Sequence, residues 1–327
     1  MAELYGALRV NKPGGPEAME WADEQLPDPA PGEISILQEA VGVDFIDTQI
    51  RSGQMQMLLP TGIGFAAAGE VIAVGSGVDG FVAGDRVAYS WSTPGAYAEA
   101  RNVPAERAIR LPDQKMDAEI AAGAMFRGLT AWYLATRLRT IKPGDFVLVH
   151  AAAGGVGSIL TQWLKHLGAV VIGVAGSEDS FAHLRDQGCA HALSLKGDWV
   201  TEVASITGGK GCSVVYDSVG KATFDGSLDC VARFGLLVSY GWASGDPDPI
   251  PLATLRAKGS IFITRPTISH YTADAEDMQE GAKALFALIG QGAIRIRVGN
   301  RYALRDAGAA HTDLVGRRTS GSVVLTV

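Results

Sequence analysis

Cysteine is scarce in this chain and comes late. Cys189, Cys212 and Cys230 are the only three in 327 residues, and none precedes position 189. So few, odd in number and scattered, they exclude a disulfide framework and fit buried thiols in a reducing compartment. Charge is thin as well, at 19% of residues against 47% apolar, with a net of −7. No basic block or Lys/Arg stripe occurs, which argues against nucleic acid and anionic membranes as partners. No apolar run reaches the length of a membrane span, and the opening MAELYGALRV lacks the cationic start and long apolar core of a signal peptide. Histidine is missing from the first 149 residues. From these absences a cytoplasmic protein is expected, long enough for two domains with sizeable cores.

Small residues are plentiful, and one cluster of them carries chemistry. HAAAGGVG (150–157) follows the apolar run FVLV, which reads as a buried strand. After it Val156, Ile159, Leu160, Trp163, Leu164 and Leu167 recur at spacings of three and four, the mark of a helix with one apolar face. Gly168 ends that helix, and AVVIGV (169–174) is a second buried strand. Strand, tight turn, helix and strand make a βαβ unit. Its fingerprint runs Ala152, Gly154, Gly157, with alanine in the first glycine's place. Gly154 lets the backbone approach a pyrophosphate, Gly157 lets the helix pack on the strand, and Gly155 and Val156 supply helix N-terminal N–H groups to the anion. The competing reading is a small-residue turn with only a packing role.

Two kinds of sequence follow one another. The first 120 or so residues hold short apolar runs between Gly- and Pro-rich turns: 33–43, 69–78, 84–90 and 95–103. They predict a β-rich, partly open barrel. From about residue 125 helices and strands alternate, which predicts an α/β, doubly wound parallel sheet. A helix over 276–289 and a last strand, SVVLTV, return to the β-rich part. The expected domains are 1–124 with 266–327, and 125–265.

The motifs GDRV, GLTAWYL, HAAAGGVG, VYDSVG and TRP occur in this order. Together with VGVDFIDTQIRSG (41–53) they resemble the medium-chain dehydrogenase/reductase superfamily and, within it, the zinc-free quinone oxidoreductases of the zeta-crystallin type. The resemblance covers essentially the whole chain. It implies a Rossmann domain inserted into a GroES-like domain, a homodimer, and an NADPH-dependent reductase of quinones. Reduction of activated alkenes of the 2-enoyl or 2-haloacrylate type is the second reading. A catalytically silent NADPH-binding protein is the third.

The resemblance also assigns residues. Phe45, Asp47 and Gln49 fall in a loop near the nicotinamide, and Thr130, Arg265 and Arg317 reach the cofactor. Tyr240, Gly241 and Trp242 follow a strand end, where ligands lie in such sheets. Gln49, Met55, Trp242 and Tyr271 are expected to line the substrate pocket, with Gln49 and Met55 standing where the family commonly has tyrosines. Asp47 also reads as a cap or turn carboxylate, Arg265 as an ion-pair residue, Trp242 as packing and Tyr271 as a structural ring. No residue is assigned as catalytic.

Zinc alcohol dehydrogenases share this fold, yet no metal is expected here. Asp44 stands where an early ligand would lie, GFAAAGEV (64–71) replaces the Gly-His-Glu region, and a four-cysteine lobe is impossible. For the cofactor, the second strand ends GVAGSED with Ala175 and Gly176 at the ribose position, so no carboxylate there repels a 2′-phosphate. Ser177 and Ser180 can donate hydrogen bonds. The family's lysine and tyrosine for this phosphate are Ser180 and Leu195 here, and Glu178 and Asp179 add negative charge. NADPH is expected, with NADH the second candidate.

Overall fold

The structure is a computed structural model and describes residues 4–90, 92–112 and 116–327. Its chain order begins with β1 (Leu4–Val10), β2 (Met19–Gln25), β3 (Glu33–Val43), α1 (Phe45–Ser52), β4 (Thr61–Gly62), β5 (Ala66–Val74), β6 (Arg86–Ser90), β7 (Ala100–Pro104), β8 (Ala108–Arg110) and α2 (Ala118–Thr136). Next come β9 (Phe146–His150), α3 (Gly155–His166), β10 (Val170–Ala175), α4 (Phe181–Gln187), β11 (His191–Ser194), α5 (Trp199–Ile206), β12 (Cys212–Asp217), α6 (Phe224–Cys230), β13 (Val231–Ser239), α7 (Leu252–Ala257), β14 (Phe262–Thr264) and α8 (Ile268–Tyr271). The chain closes with α9 (Ala275–Gly290), β15 (Val298–Ala303), α10 (Ala307–Val315) and β16 (Ser322–Thr326). Two compact units result: the residues up to Leu129 with Thr272–Gln291 and Arg295–Val327, and Thr130–Tyr271 with Gly292–Ile294.

In the first unit β15, β16, β3, β5, β6 and β8 form one sheet in that order, β7 pairs with β3, and β2, β1 and β4 form a second sheet. The C-terminal strand β16 lies antiparallel beside β3, with Val323 opposite Val43. Ile34, Ile36, Val41, Val71, Val87, Tyr89 and Val323 belong to one core cluster of this unit, with Leu8 and Val10 of β1.

In the second unit six strands run in the order β11, β10, β9, β12, β13, β14, all parallel. Their near-continuous apolar runs match a sheet covered by helices on both faces. The order reverses between β9 and β12, so the ligand crevice of such a sheet opens at the carboxyl ends of these two strands. In the core of this unit Leu148, Ile172, Val215 and Leu237 pack with Trp199, Phe224 and Leu228 from the helices.

One expectation needs correction. The stretch 45–52 is a helix, not a loop. β13 carries an irregularity, since Phe234 inside it takes a left-handed conformation (φ 60°) and its pairing with β12 shifts register before Leu236. β14 is short, Phe262–Thr264. Among the described residues no helix is long and apolar enough to cross a membrane.

Candidate functional site

The turn after β9 is built to present backbone. Ala151 is left-handed (φ 49°), and its carbonyl accepts the Gly154 N–H at 2.8 Å. Gly154 is the N-cap of α3 with extended backbone and no side-chain cap. The Ser158 N–H is the first to bond back into the turn, to the Gly154 carbonyl at 2.8 Å. That leaves the N–H groups of Gly155, Val156 and Gly157 without intrahelical partners, at the positive end of the helix dipole. A Cβ on Gly157 would lie 2.3 Å from the Ala151 carbonyl oxygen and 2.9 Å from the Ala152 Cα. One on Gly154 would meet that same oxygen at 3.0 Å and the Ala151 Cβ at 4.0 Å. The alanine in the first glycine's place has a physical reason. Buried Ala152 projects towards Gly173 of β10, where an added Cβ would approach its methyl to 3.1 Å.

The end of β10 is open. Nothing lies within 4 Å of a Cβ built on Gly176. The Ser177 hydroxyl donates to Asp179 Oδ2 at 3.0 Å and accepts the Asp179 N–H at 3.3 Å, so this serine is engaged by the neighbouring carboxylate. Ser180 is half-buried just before α4. Leu195 sits beside them, its N–H bonded to the Ala175 carbonyl at 2.8 Å.

A buried polar knot under the crevice escaped the sequence reading. Asp217, at the end of β12, accepts the N–H groups of Val219 and Gly220 at 2.8 and 3.0 Å. It also accepts the hydroxyls of Thr223 and Ser227, each at 2.7 Å. The Ser227 hydroxyl lies 3.0 Å from His150 Nε2, and the His150 ring stands edge-on to Trp199. Burial pushes the His150 pKa down, against the opposing Asp217 charge. The order Asp–Ser–His, with the serine hydroxyl spent on the carboxylate, is not that of a nucleophilic triad. The knot instead fixes the loop 217–223. Through the Ser244 N–H to Val219 carbonyl bond (2.8 Å) and the Lys221 N–H to Gly245 carbonyl bond (2.9 Å) it also fixes the loop after β13.

That second loop carries Tyr240, Gly241 and Trp242. The Tyr240 N–H bonds the Asp217 carbonyl at 2.9 Å, and burial pushes its phenol up to about 12. A Cβ on Gly241 would lie 2.6 Å from the Ser218 carbonyl. The Arg265 guanidinium stacks over the Trp242 ring at 4.9 Å and pairs with Asp246 at 3.0 Å. Tyr271 stacks on Tyr133 with ring centroids 4.4 Å apart. Thr130 is buried in α2.

In the first unit α1 owes its start to two carboxylates. The Asp44 N–H donates to Asp47 Oδ2 at 2.8 Å, closing a capping box. Asp47 is fully buried, and the Tyr97 hydroxyl donates to the same oxygen at 2.9 Å and faces His311 Nε2 at 3.0 Å. Burial, then the Asp44 charge, raises the Asp47 pKa. Burial, then Arg51, pushes His311 down to about 3. Asp47 thus takes part in the cap of α1. Gln49 is buried, whereas Phe45 and Met55 are exposed, and the Met55 N–H donates to the Gln49 carbonyl at 3.0 Å. Arg317 is exposed and left-handed (φ 56°), and it is Arg318 that pairs with Asp313.

The residues do not fit a zinc site. Asp44 is bound to Arg127 at 2.7 Å, and 66–68 are buried alanines. Among the described residues no three His, Cys, Asp or Glu side chains stand together as a metal site. Burial pushes the Cys189 and Cys230 thiols up to about 11 and 12, which keeps them protonated and inert.

Known proteins share this arrangement. Residues 30–113 match the family described as alcohol dehydrogenase GroES-like domain, and 155–287 that described as zinc-binding dehydrogenase. A quinone oxidoreductase of Pseudomonas aeruginosa is 46% identical over 95% of this chain and 96% of its own. A 2-haloacrylate reductase of a Burkholderia species is 42% identical over 98% of both. The crystal structure of Escherichia coli quinone oxidoreductase complexed with NADPH superposes with a TM-score of 0.94 at 42% identity, covering 98% of this chain and all of that one.

Proposed function

Because the chain belongs to the quinone oxidoreductase family of the medium-chain dehydrogenase/reductase superfamily, we propose that it is an NADPH-dependent reductase of quinones. The observation that carries this reading is the uncapped N-terminus of α3 at the switch point of the sheet. NADPH, when bound, supplies a hydride. The N–H groups of Gly155, Val156 and Gly157 hold its pyrophosphate. Gly176, Ser177 and Ser180 border the ribose phosphate, and Tyr240, Gly241, Trp242 and Arg265 border the crevice at the end of β13. The knot around Asp217 keeps those loops in place, so that binding needs little ordering of the chain. A quinone suits a site without a Lewis acid, since its electron-poor ring accepts hydride readily and gains aromaticity. Gln49 and Met55 of the first unit stand where the resembled family commonly has tyrosines. Their departure from the family's tyrosines, with the full-length likeness to a 2-haloacrylate reductase, favours activated alkenes as the second reading. Three separate buried thiols agree with a cytoplasmic location.

The cofactor preference is testable. The kcat/KM with NADPH is expected to exceed that with NADH, and Ser180→Lys to strengthen NADPH binding while leaving NADH almost unchanged, since a charge-assisted bond to the 2′-phosphate is gained. A tenfold preference for NADH would overturn this and make Glu178 or Asp179 the ribose ligand.

A homodimer belongs to the same reading. β14 is an edge strand paired only with β13, and Phe262 on it is 58% exposed. Such an edge invites pairing across a two-fold axis. Light scattering at micromolar concentration is expected to give twice the chain mass, and a monomer mass would contradict it.

A further inference from the structure

His150 and Asp217 end neighbouring parallel strands of the second unit. Tyr216 of β12 lies opposite Val149 of β9, so Asp217 and His150 follow at matching positions, at the carboxyl ends where the crevice of such a sheet opens. His150 is also the residue from which the phosphate turn springs. Both side chains are fully buried. Four donors meet the Asp217 carboxylate, and no Lys or Arg among the described residues pairs with it. This unit therefore holds a buried negative charge beside the turn that receives a pyrophosphate in the reading above. Two anions so placed repel one another, and the interior screens them little.

The hydrogen bonds show where a compensating proton fits. The Ser227 hydroxyl has one hydrogen and gives it to Asp217 Oδ2 at 2.7 Å. Its oxygen then accepts the His150 Nε2–H at 3.0 Å. Nδ1 is left as a bare lone pair, buried and without a partner among the described residues. The Trp199 ring, 4.8 Å away, is within reach of a cation–π attraction. Asp217 is the charge that acts on this ring. β10 carries no titratable side chain, and Glu202 of α5 and Asp225 and Asp229 of α6 are exposed. The Tyr216 hydroxyl donates to the Leu134 carbonyl, and burial pushes the Cys212 and Cys230 thiols up. Lys165 and His166 of α3 lie in its last turn. Burial lowers the His150 pKa more than Asp217 raises it. At the ordinary histidine pKa of about 6.5, more than half of the rings are thus neutral and able to accept a proton.

We propose that His150 takes up a proton from solvent, at Nδ1, when the cofactor's pyrophosphate binds at the N-terminus of α3. This rests on the cofactor reading above. The imidazolium faces Asp217 through Ser227 and offsets one negative charge in the crevice. By linkage, cofactor affinity falls as pH rises through the pKa that the ring has in the complex.

Titration calorimetry of the full-length protein with NADPH, at about pH 6.5 in buffers of different ionisation enthalpy, counts the protons bound. The 2′-phosphate itself titrates close to this pH, so the readout is the difference between the unaltered protein and His150→Gln. The glutamine amide keeps a donor for the Ser227 oxygen and cannot take the proton. At least about half a proton more per cofactor is expected in the unaltered protein, equivalent to about a threefold steeper change in Kd per pH unit. Equal proton counts would overturn the proposal. A second measurement does not depend on the folding of the variant. In nitrogen-labelled unaltered protein, NMR is expected to show one of the six histidines gaining a ring proton when NADPH is added. No histidine gaining one would equally overturn it. Failure of NADPH to bind at all would overturn the cofactor reading together with the proposal, whereas binding with equal proton counts leaves that reading standing.

Discussion

Gly154→Val is expected to raise the NADPH dissociation constant at least tenfold, about 1.4 kcal/mol, with the fold intact. Gly157→Val is expected to damage the fold itself. The two glycines are three residues apart, yet their surroundings differ. Gly154 is exposed at the N-cap, and the nearest atom to a Cβ there is the Ala151 carbonyl oxygen, at 3.0 Å, which can give by a few tenths of an ångström. Its branches then occupy the space where the phosphate would meet the helix N-terminus. Gly157 is buried, and its Cβ would lie 2.3 Å from backbone that cannot step aside. Overpacking of this kind costs about 1–3 kcal/mol and sometimes more. Calorimetric titration with NADPH and thermal unfolding separate the two. Unchanged affinity in Gly154→Val would remove the phosphate role from the turn.

Asp217→Ala is expected to lower stability by roughly 3–5 kcal/mol, in the range found when one partner of a buried charged network is removed. Two backbone N–H groups and two hydroxyls would lose their acceptor together. Asp217→Asn is expected to cost much less. Its amide oxygen still accepts the Val219 and Gly220 N–H groups. The hydroxyls can also turn, Thr223 to the Gly220 carbonyl at 3.1 Å and Ser227 to His150. Thermal unfolding reads the ranking, with a drop of roughly 10 °C for alanine. Equal losses in both variants would show that charge, not hydrogen-bond geometry, holds the loop.

The parallel sheet was legible because apolar runs such as FVLV and VVIGV can only be buried on both faces. The phosphate turn was legible because its glycines sit at a fixed offset between strand and helix. α1 was hidden for an equally physical reason. Its buried residues include Asp47, Thr48, Gln49 and Arg51, so no apolar stripe marks its inner face. The signals that do mark it are the Asp44–Asp47 spacing of a capping box and the left-handed Gly53 (φ 80°) that ends it. β11 has four residues and lies at a sheet edge, and β15 alternates half-buried and exposed residues around Gly299 and Asn300, so neither stands out from a loop. The Asp217 knot joins His150 to Ser227 across 77 positions, a distance over which no spacing rule operates. Only the strand-ending YDSVG, with an Asp able to cap the following N–H groups, hinted at it.

NADPH oxidation by protein dialysed exhaustively against a chelator, followed with a panel of quinones and a panel of 2-enoyl and 2-haloacrylate compounds, is the most direct test of the quinone reductase reading. The expected result is turnover undiminished by dialysis, with kcat/KM for the best quinone above that for any alkene. Turnover with neither panel, while NADPH still raises the unfolding temperature, would contradict it and leave a cofactor-binding protein without this chemistry.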